Sequence, residues 1–451
     1  MPTSSQVSAL STGPIGPEEK VEESAPAFQF SRRPDAVGSQ ARLDDLTGQW
    51  VVFAPDRENR PNDFAAQDET AVPTADCPFC SGNESQTPPH VYSAGGSASE
   101  PWGVRVVPNK FPAVSLANTT QRVPLTADGS SATVPSSDAP SSGSVFRGSA
   151  GSGSAVSVSG PSGQTGMTGW EVQSSMTAAG SPELPAQATR DSAKRRQHRA
   201  GDSLVASRNV SGGHEVIIES SKHVESMSQL DADAVVEVFR AFKVRLLAWR
   251  ELRSIQYVSV FKNVGRQAGA SLHHSHSQLI ALDQIPADVK RNMWLRRNHH
   301  AKMGCCLLCD LNRHEVKARQ RIIAKTDNLL AYCPFASAFA YQVRITSQMH
   351  LGRYEDLSDD QIAEVARLTQ RVTTWLERMR PGVAYNLVLH TQPPGDDGKA
   401  DAFHWSLDLV PRTSHFAGFE IGCGTMINSV LPEQAAAEYR QQASQERLRV
   451  M

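Results

Sequence analysis

The sequence predicts an α+β fold made of two similar halves. Three observations point to it. Beyond residue 205 the chain passes twice through the order strand, helix, strand, strand; a Cys-X-X-Cys pair precedes each pass; and each pass carries two histidines at matching places.

The first pass starts at "VIIESSKH" (216–223), reaches "YVSVFKN" (257–263) and ends at "HSHSQL" (274–279). The second starts at "VRITSQMH" (343–350), reaches "YNLVLHT" (385–391) and ends at "HWSLDL" (404–409). These β-branched and aromatic runs read as strands. Between them, Val235, Phe239, Phe242, Leu246 and Trp249 recur at helical spacing, as do Ile362, Val365, Thr369, Val372 and Leu376. Ser228 with Asp231, and Ser358 with Gln361, resemble capping boxes that would start the two helices. Upstream, "CPFC" and "VRVVPNKFPA" lead the first pass, and "CLLC" and "NLLAYCPFASA" lead the second.

Two stretches stand outside the repeat. Residues 1–41 are polar and Pro/Ser-rich and are expected to form a disordered N-terminal segment. Residues 116–205 form a Ser/Gly-rich insertion that cannot bury enough apolar surface to offset its ordering entropy. Its closing cluster "RDSAKRRQHRA" reads as a solvated basic tail. The expected organisation is therefore 1–41 disordered, 42–290 an N-terminal catalytic domain holding the insertion, and 291–451 a C-terminal domain. Hydrophobic residues make up 39% of the 451 and the net charge is −2, which excludes binding nucleic acid by bulk electrostatics. No run approaches the roughly 20 apolar residues of a membrane span, and the N-terminus lacks the apolar core of a secretory signal. A cytoplasmic location is the expectation.

Of the 7 cysteines, four form the pairs Cys77/Cys80 and Cys306/Cys309. Without a secretory signal, metal binding suits them better than disulfides. Each half supplies two thiolates and two imidazoles, the ligand set of a closed structural zinc site. The expected sites are Cys77, Cys80, His223 and His274, and Cys306, Cys309, His350 and His404. Cys305, Cys333 and Cys423 are expected to be buried bystanders.

The two halves differ at one place. If "HSHSQL" is a strand, His274, His276 and Gln278 share a face with neighbours about 6.5–7 Å apart, and Ser275, Ser277 and Leu279 face the other way. In the second half His404 stands for His274, but Ser406 stands for His276 and Asp408 for Gln278. His276 is thus spared from metal duty. A neutral imidazole is a good nucleophile toward phosphorus. Gln278 can donate an amide hydrogen bond to a phosphoryl oxygen but cannot shuttle a proton. Just upstream, Gly265 and Gly269 in "FKNVGRQAGAS" would let backbone approach phosphate oxygens closely.

Taken together, "RLDDLTGQWVVFAPDRENRP", "CPFC", "WGVRVVPNKFPA", "FKNVGRQAGASLHHSHSQLIAL" and "FHWSLDLVPRTSHFAGFEIGCGTMIN" resemble the galactose-1-phosphate uridylyltransferases of the histidine-triad superfamily. The resemblance covers about residues 42–113 and 205–440. It implies two duplicated histidine-triad-like halves, each an antiparallel sheet with packed helices. It also implies a ping-pong uridylyl transfer from UDP-glucose to galactose 1-phosphate or a similar hexose 1-phosphate, through a nucleotidyl-His276 steadied by Gln278, with two structural zinc ions. Typical members carry prolines within the histidine motif. The serines here, with "AGAS" ahead, look closer to the ADP-glucose phosphorylase branch, which implies the alternative of adenylyl transfer to inorganic phosphate. A zinc-stabilised nucleotide-binding module without turnover is a third reading, against which the retained His276 argues.

By the same resemblance Asn109 and Asn263 would contact the nucleotide, Arg57 and Arg60 phosphate or ribose, and Glu420 a sugar hydroxyl. Gly269 and Ser275 complete the expected substrate contacts. Homodimers are common in the family. His273 is expected to be partly exposed, and His214 to orient a neighbour or cap a turn; neither is given a catalytic role.

Overall fold

A computed structural model describes residues 39–55, 76–96, 100–116, 208–396, 400–414 and 416–450. Most of the expected N-terminal segment and nearly all of the insertion lie outside the described residues, as do Arg57 and Arg60.

Strands β1 (Gln40–Asp44), β2 (Gln49–Phe53), β3 (Tyr92–Ala94), β4 (Val104–Pro108) and β5 (Gly212–Ile218) precede helix α1 (Ala232–Arg250). Strands β6 (Tyr257–Val264) and β7 (His276–Leu282) follow, then helices α2 (Ala287–Met303) and α3 (Leu307–Ala318). The second pass comprises β8 (Ile322–Lys325), β9 (Leu329–Tyr332), β10 (Val343–Ser347), α4 (Asp359–Met379), β11 (Tyr385–His390) and β12 (Ser406–Pro411). The chain closes with α5 (Gly418–Cys423), β13 (Met426–Asn428) and α6 (Pro432–Val450).

Ten strands form one sheet in the order β3-β4-β5-β7-β6-β11-β12-β10-β9-β8. Every neighbouring pair in it is antiparallel. Read inward from either end, the order is the same: β3, β4, β5, β7, β6 against β8, β9, β10, β12, β11. Each half contributes the expected antiparallel sheet, and the two join edge to edge. β6 and β11 would otherwise each present an unpaired edge, and pairing them satisfies both rows of backbone groups. Asn263 stands opposite Asn386 at this seam.

Alternation puts Val258, Val260, Leu279 and Ala281 from the first half, and Val343, Ile345, Leu387 and Leu409 from the second, on one face. The apolar stripes of α1 and α4 cover that face and pack on each other. Each fully buried side chain such as Phe239 or Trp375 contributes about 1.5–3 kcal/mol. Gly213 in β5 lets α1 come close, because a Cβ there would lie 2.0 Å from the Trp249 ring.

Ser358 and Gln361 form the expected capping box at α4. The other expected box does not form. Asp231 caps α1 without a side-chain bond, and Ser228 sits in a short turn where its hydroxyl bonds Glu377 of α4 instead. A tertiary acceptor has displaced the local one.

The expected boundary at 290/291 falls inside α2. Moreover, the N-terminal strands pack on the second half rather than the first. β13 pairs parallel with β2, Val51 and Phe53 bury against Ala336, and Arg42 donates to Phe335 O at 3.0 Å and to Glu433 of α6. Leu46 likewise buries against Cys306, Leu307 and Leu308. No helix among the described residues is long and apolar enough to cross a membrane.

Candidate active site

Both expected metal-ligand sets come together, each with its four ligand atoms within 4.8 Å of one another. Cys77 Sγ lies 3.5 Å from His274 Nδ1, and Cys80 Sγ lies 3.5 and 3.6 Å from Nδ1 of His223 and His274. In the second set Cys309 Sγ lies 3.4 and 3.3 Å from Nδ1 of His350 and His404. Tetrahedral zinc with ordinary bond lengths separates sulfur from nitrogen by about 3.5 Å, so both sets fit it. The outer nitrogens are also held. His274 Nε2 donates to Ser220 O at 2.9 Å, and His404 Nε2 donates to the Ser347 hydroxyl at 2.8 Å. Each bond keeps the proton off the Nδ1 that faces the thiolates. Burial holds the His274 imidazole neutral, its pKa lowered to about 4.

A third group, His299, Cys305 and Asp310, does not fit. Asp310 Oδ2 stands 2.6 Å from His299 Nε2 and 2.9 Å from Cys305 Sγ. Those are hydrogen-bond separations, too short for ligands sharing an ion. Cys305 is therefore a half-exposed hydrogen-bonding thiol, and Cys423 is exposed on α5, whose side chains are largely in solvent. Only Cys333 of the three expected bystanders is buried.

His276 opens β7, so His274 precedes the strand instead of lying within it. The two rings nonetheless meet the same side chain: Phe79, from between the first cysteine pair, packs edge-on at 5.9 Å from His274 and 5.3 Å from His276. His276 Nδ1 lies 2.7 Å from His274 O. A carbonyl only accepts, so Nδ1 carries the proton and the lone pair is on Nε2. Burial lowers the pKa of this ring below the ordinary imidazole value.

Gln278 projects from the same face two residues on. Its Oε1 lies 2.8 Å from His214 Nε2 on the neighbouring β5. Asn109, at the end of β4, places its amide nitrogen 3.1 Å from that Nε2 and accepts from Phe111 N through Oδ1 at 2.8 Å. The structure thus brings Asn109, His214 and Gln278 together.

Ser275 turns away from this face. Its hydroxyl donates to Glu219 Oε2 at 2.6 Å and accepts from Lys262 Nζ at 2.8 Å, while the residue also lines the cavity beside Asn263. Ser277 donates to Glu219 Oε1 at 2.6 Å, and Lys262 bridges Glu219 at 2.7 Å and His276 O at 3.2 Å. The serines of the motif are thus the donors that satisfy a buried carboxylate. Alternation along β6 places Lys262 inward with Val258 and Val260, a signal the sequence reading missed.

Residues Arg266–Ala268 form a tight turn, and the N–H groups of Ala268, Gly269 and Ala270 donate to Gly265 O or Arg266 O. Those three bonds fix the shape of the loop. Gly265 is required by φ +77° and by Ala384, whose Cβ would lie 2.9 Å from an added Cβ. Asn263 lines a cavity of about 670 Å³ with Gly265, Arg266, Ser271 and His273. Its Oδ1 accepts from Asn386 Nδ2 at 2.9 Å across the seam, a positioning contact not anticipated.

In the second half the matching face is closed. Arg344 stands opposite Asp408 on β12 as Val216 stands opposite Gln278 on β7. Its guanidinium holds Asp408 by two bonds, 2.8 and 2.7 Å, both residues buried. Ser406 occupies the place of His276. Glu420 lies on α5, where its carboxylate accepts from Ala417 N at 3.0 Å. Among the described residues no hydrogen bond joins it to the His276 cluster.

The family described as "Domain of unknown function (DUF4921)" matches residues 182–449. The chain belongs to that family. This DUF4921 chain is also similar to curated proteins of the galactose-1-phosphate uridylyltransferase-like group. An ADP-glucose phosphorylase of Arabidopsis thaliana is 27% identical over 414 residues, 90% of this chain and 95% of the relative. A galactose-1-phosphate uridylyltransferase of Haemophilus influenzae is 27% identical over 253 residues, 54% of this chain and 70% of the relative. The crystal structure of an Arabidopsis thaliana ADP-glucose phosphorylase with bound ADP-glucose superimposes with a TM-score of 0.62 at 24% identity, covering 90% of this chain and 98% of that one. The DUF4921 chain therefore shares the fold of these enzymes.

Proposed function

We propose that this chain is a nucleotidyltransferase that moves a nucleotidyl group from a nucleotide sugar to a phosphate-bearing acceptor through His276. The observation that carries the proposal is the 2.7 Å bond from His276 Nδ1–H to His274 O, which leaves the Nε2 lone pair uncommitted.

In the first step Nε2 attacks the α-phosphorus of the donor. The N–P bond forms as the bond to the bridging oxygen breaks, and that oxygen keeps the electron pair and departs on the sugar 1-phosphate. A phosphate monoester is a stable anion at neutral pH, so no general acid is required. Gln278 has no proton to give in any case; its amide stabilises the phosphoryl oxygens. In the second step an oxygen of the acceptor phosphate attacks the same phosphorus, and the N–P electron pair returns to Nε2. Asn109 and Asn263 serve as nucleotide contacts, Arg57 and Arg60 as phosphate or ribose contacts, and Glu420 as a sugar contact. The two Cys₂His₂ sets would hold zinc, which would brace the strands around the site as a structural ion.

For the donor and acceptor we favour ADP-glucose and inorganic phosphate. Similarity along 90% of the chain to an ADP-glucose phosphorylase supports this. Uridylyl transfer from UDP-glucose to a hexose 1-phosphate is the second reading, supported by the uridylyltransferase match over 70% of that relative.

Isotope exchange tests the proposal. Labelled glucose 1-phosphate should enter the correct sugar nucleotide without any second acceptor, and His276→Ala should abolish the exchange. Exchange that survives in that variant would exclude His276 as the nucleophile.

A further inference from the structure

We infer that His214 is a positioning residue that sets which end of the Gln278 amide faces the reacting phosphorus. The inference rests on the proposed nucleotidyl transfer for its consequence, though not for its geometry.

Two contacts determine the orientation. The backbone N–H of Ala113 lies 3.2 Å from His214 Nδ1. An amide N–H only donates, so Nδ1 must be the accepting nitrogen and the neutral ring carries its proton on Nε2. That Nε2–H then donates to the Gln278 side chain 2.8 Å away, and the atom it meets must be the carbonyl oxygen Oε1. With Oε1 anchored to β5, the two N–H groups of Gln278 are directed away from His214. Among the described residues nothing else is hydrogen-bonded to them.

The register makes the contact available. His214 pairs with Ile280 and Val216 with Gln278, so His214 and Gln278 are diagonal neighbours on one face. At that separation two long side chains can meet. Asn109 lies against the same ring; its amide nitrogen only donates, so in this tautomer its acceptor is Nδ1, 3.4 Å away, and the 3.1 Å approach to Nε2 is a packing contact.

The energetic reason lies in the glutamine. A primary amide presents a donor end and an acceptor end of nearly equal shape. Rotated by half a turn, Gln278 would aim Oε1 at anionic phosphoryl oxygens and repel the charge it should stabilise. Fixing the amide beforehand removes that competing state. The second half has no such device, because Arg344 and Asp408 close the corresponding position.

The test combines kinetics with a direct view of the proton. His214→Phe keeps a ring and removes the donor; adduct formation should fall roughly 10- to 100-fold, against roughly 100- to 1000-fold for Gln278→Ala. His214→Gln, which returns an N–H at similar reach, should recover part of the loss. In a Gln278→Ala background, His214→Phe should cost nothing further, whereas a merely structural role would give a second, additive loss and overturn the inference. Long-range ¹H–¹⁵N spectra of histidine-labelled wild-type protein should show the Nε2–H tautomer at His214. A Nδ1–H tautomer would overturn the inference even if the variants fail to fold. Should wild-type protein form no adduct with either sugar nucleotide, the proposed function falls, and the tautomer alone decides the hydrogen bond.

Discussion

Lys262 and Glu219 form a buried ion pair, 2.7 Å apart, directly behind the strand that carries His276. Glu219 accepts from both serines flanking that histidine, and Lys262 bonds the carbonyl of His276 itself. Charge, serines and nucleophile are therefore one unit. Removing a single partner leaves a buried charge without compensation. Lys262→Met should cost about 3–5 kcal/mol in denaturant unfolding. A loss below about 1 kcal/mol would show the pair to be dispensable.

The zinc expectation is tested by counting metal. Wild-type protein should hold two zinc ions per chain, and Cys77→Ser should hold one, because only the first set loses a thiolate. The same variant should unfold at a lower temperature. Metal analysis finding no zinc in the wild type would remove both sites from the account.

Arg344 and Asp408 supply a prediction in the other direction. Both are buried, and they close the face that corresponds to the active one. Arg344→Met should destabilise by about 3–5 kcal/mol, since Asp408 is left charged and alone. Adduct formation per folded molecule should stay unchanged. A selective loss of activity would mean that the second half takes part in the chemistry.

Much of this architecture was legible because its determinants are local or repeated. The stripes from Val235 to Trp249 and from Ile362 to Leu376 follow helical period, and both recur as buried faces. The cysteine pairs and their histidines recur in order, and the structure assembles both sets. Other features depend on pairing between distant residues, which periodicity does not encode. The joining of two sheets at β6 and β11 is one, and the burial of β2 against the second half is another. The His214–Gln278 contact depends on the β5–β7 register, and Asn386 reaches Asn263 only across the seam. The Ser228 cap failed for the same reason, since Glu377 from α4 claims the hydroxyl. The buried ion pair could have been read from the sequence: Lys262 on the inward face of β6 demanded a buried acceptor, and Ser275 beside His276 supplies part of it.

The central claim is that phosphorus becomes bonded to His276 during turnover. The most direct measurement is the intact mass of the protein after exposure to ADP-glucose or UDP-glucose without acceptor. The account predicts an acid-labile increment of one nucleotidyl group from one of these donors, lost on adding the acceptor and absent in His276→Ala. Turnover of either donor with no increment, or an increment that persists in His276→Ala, would contradict it.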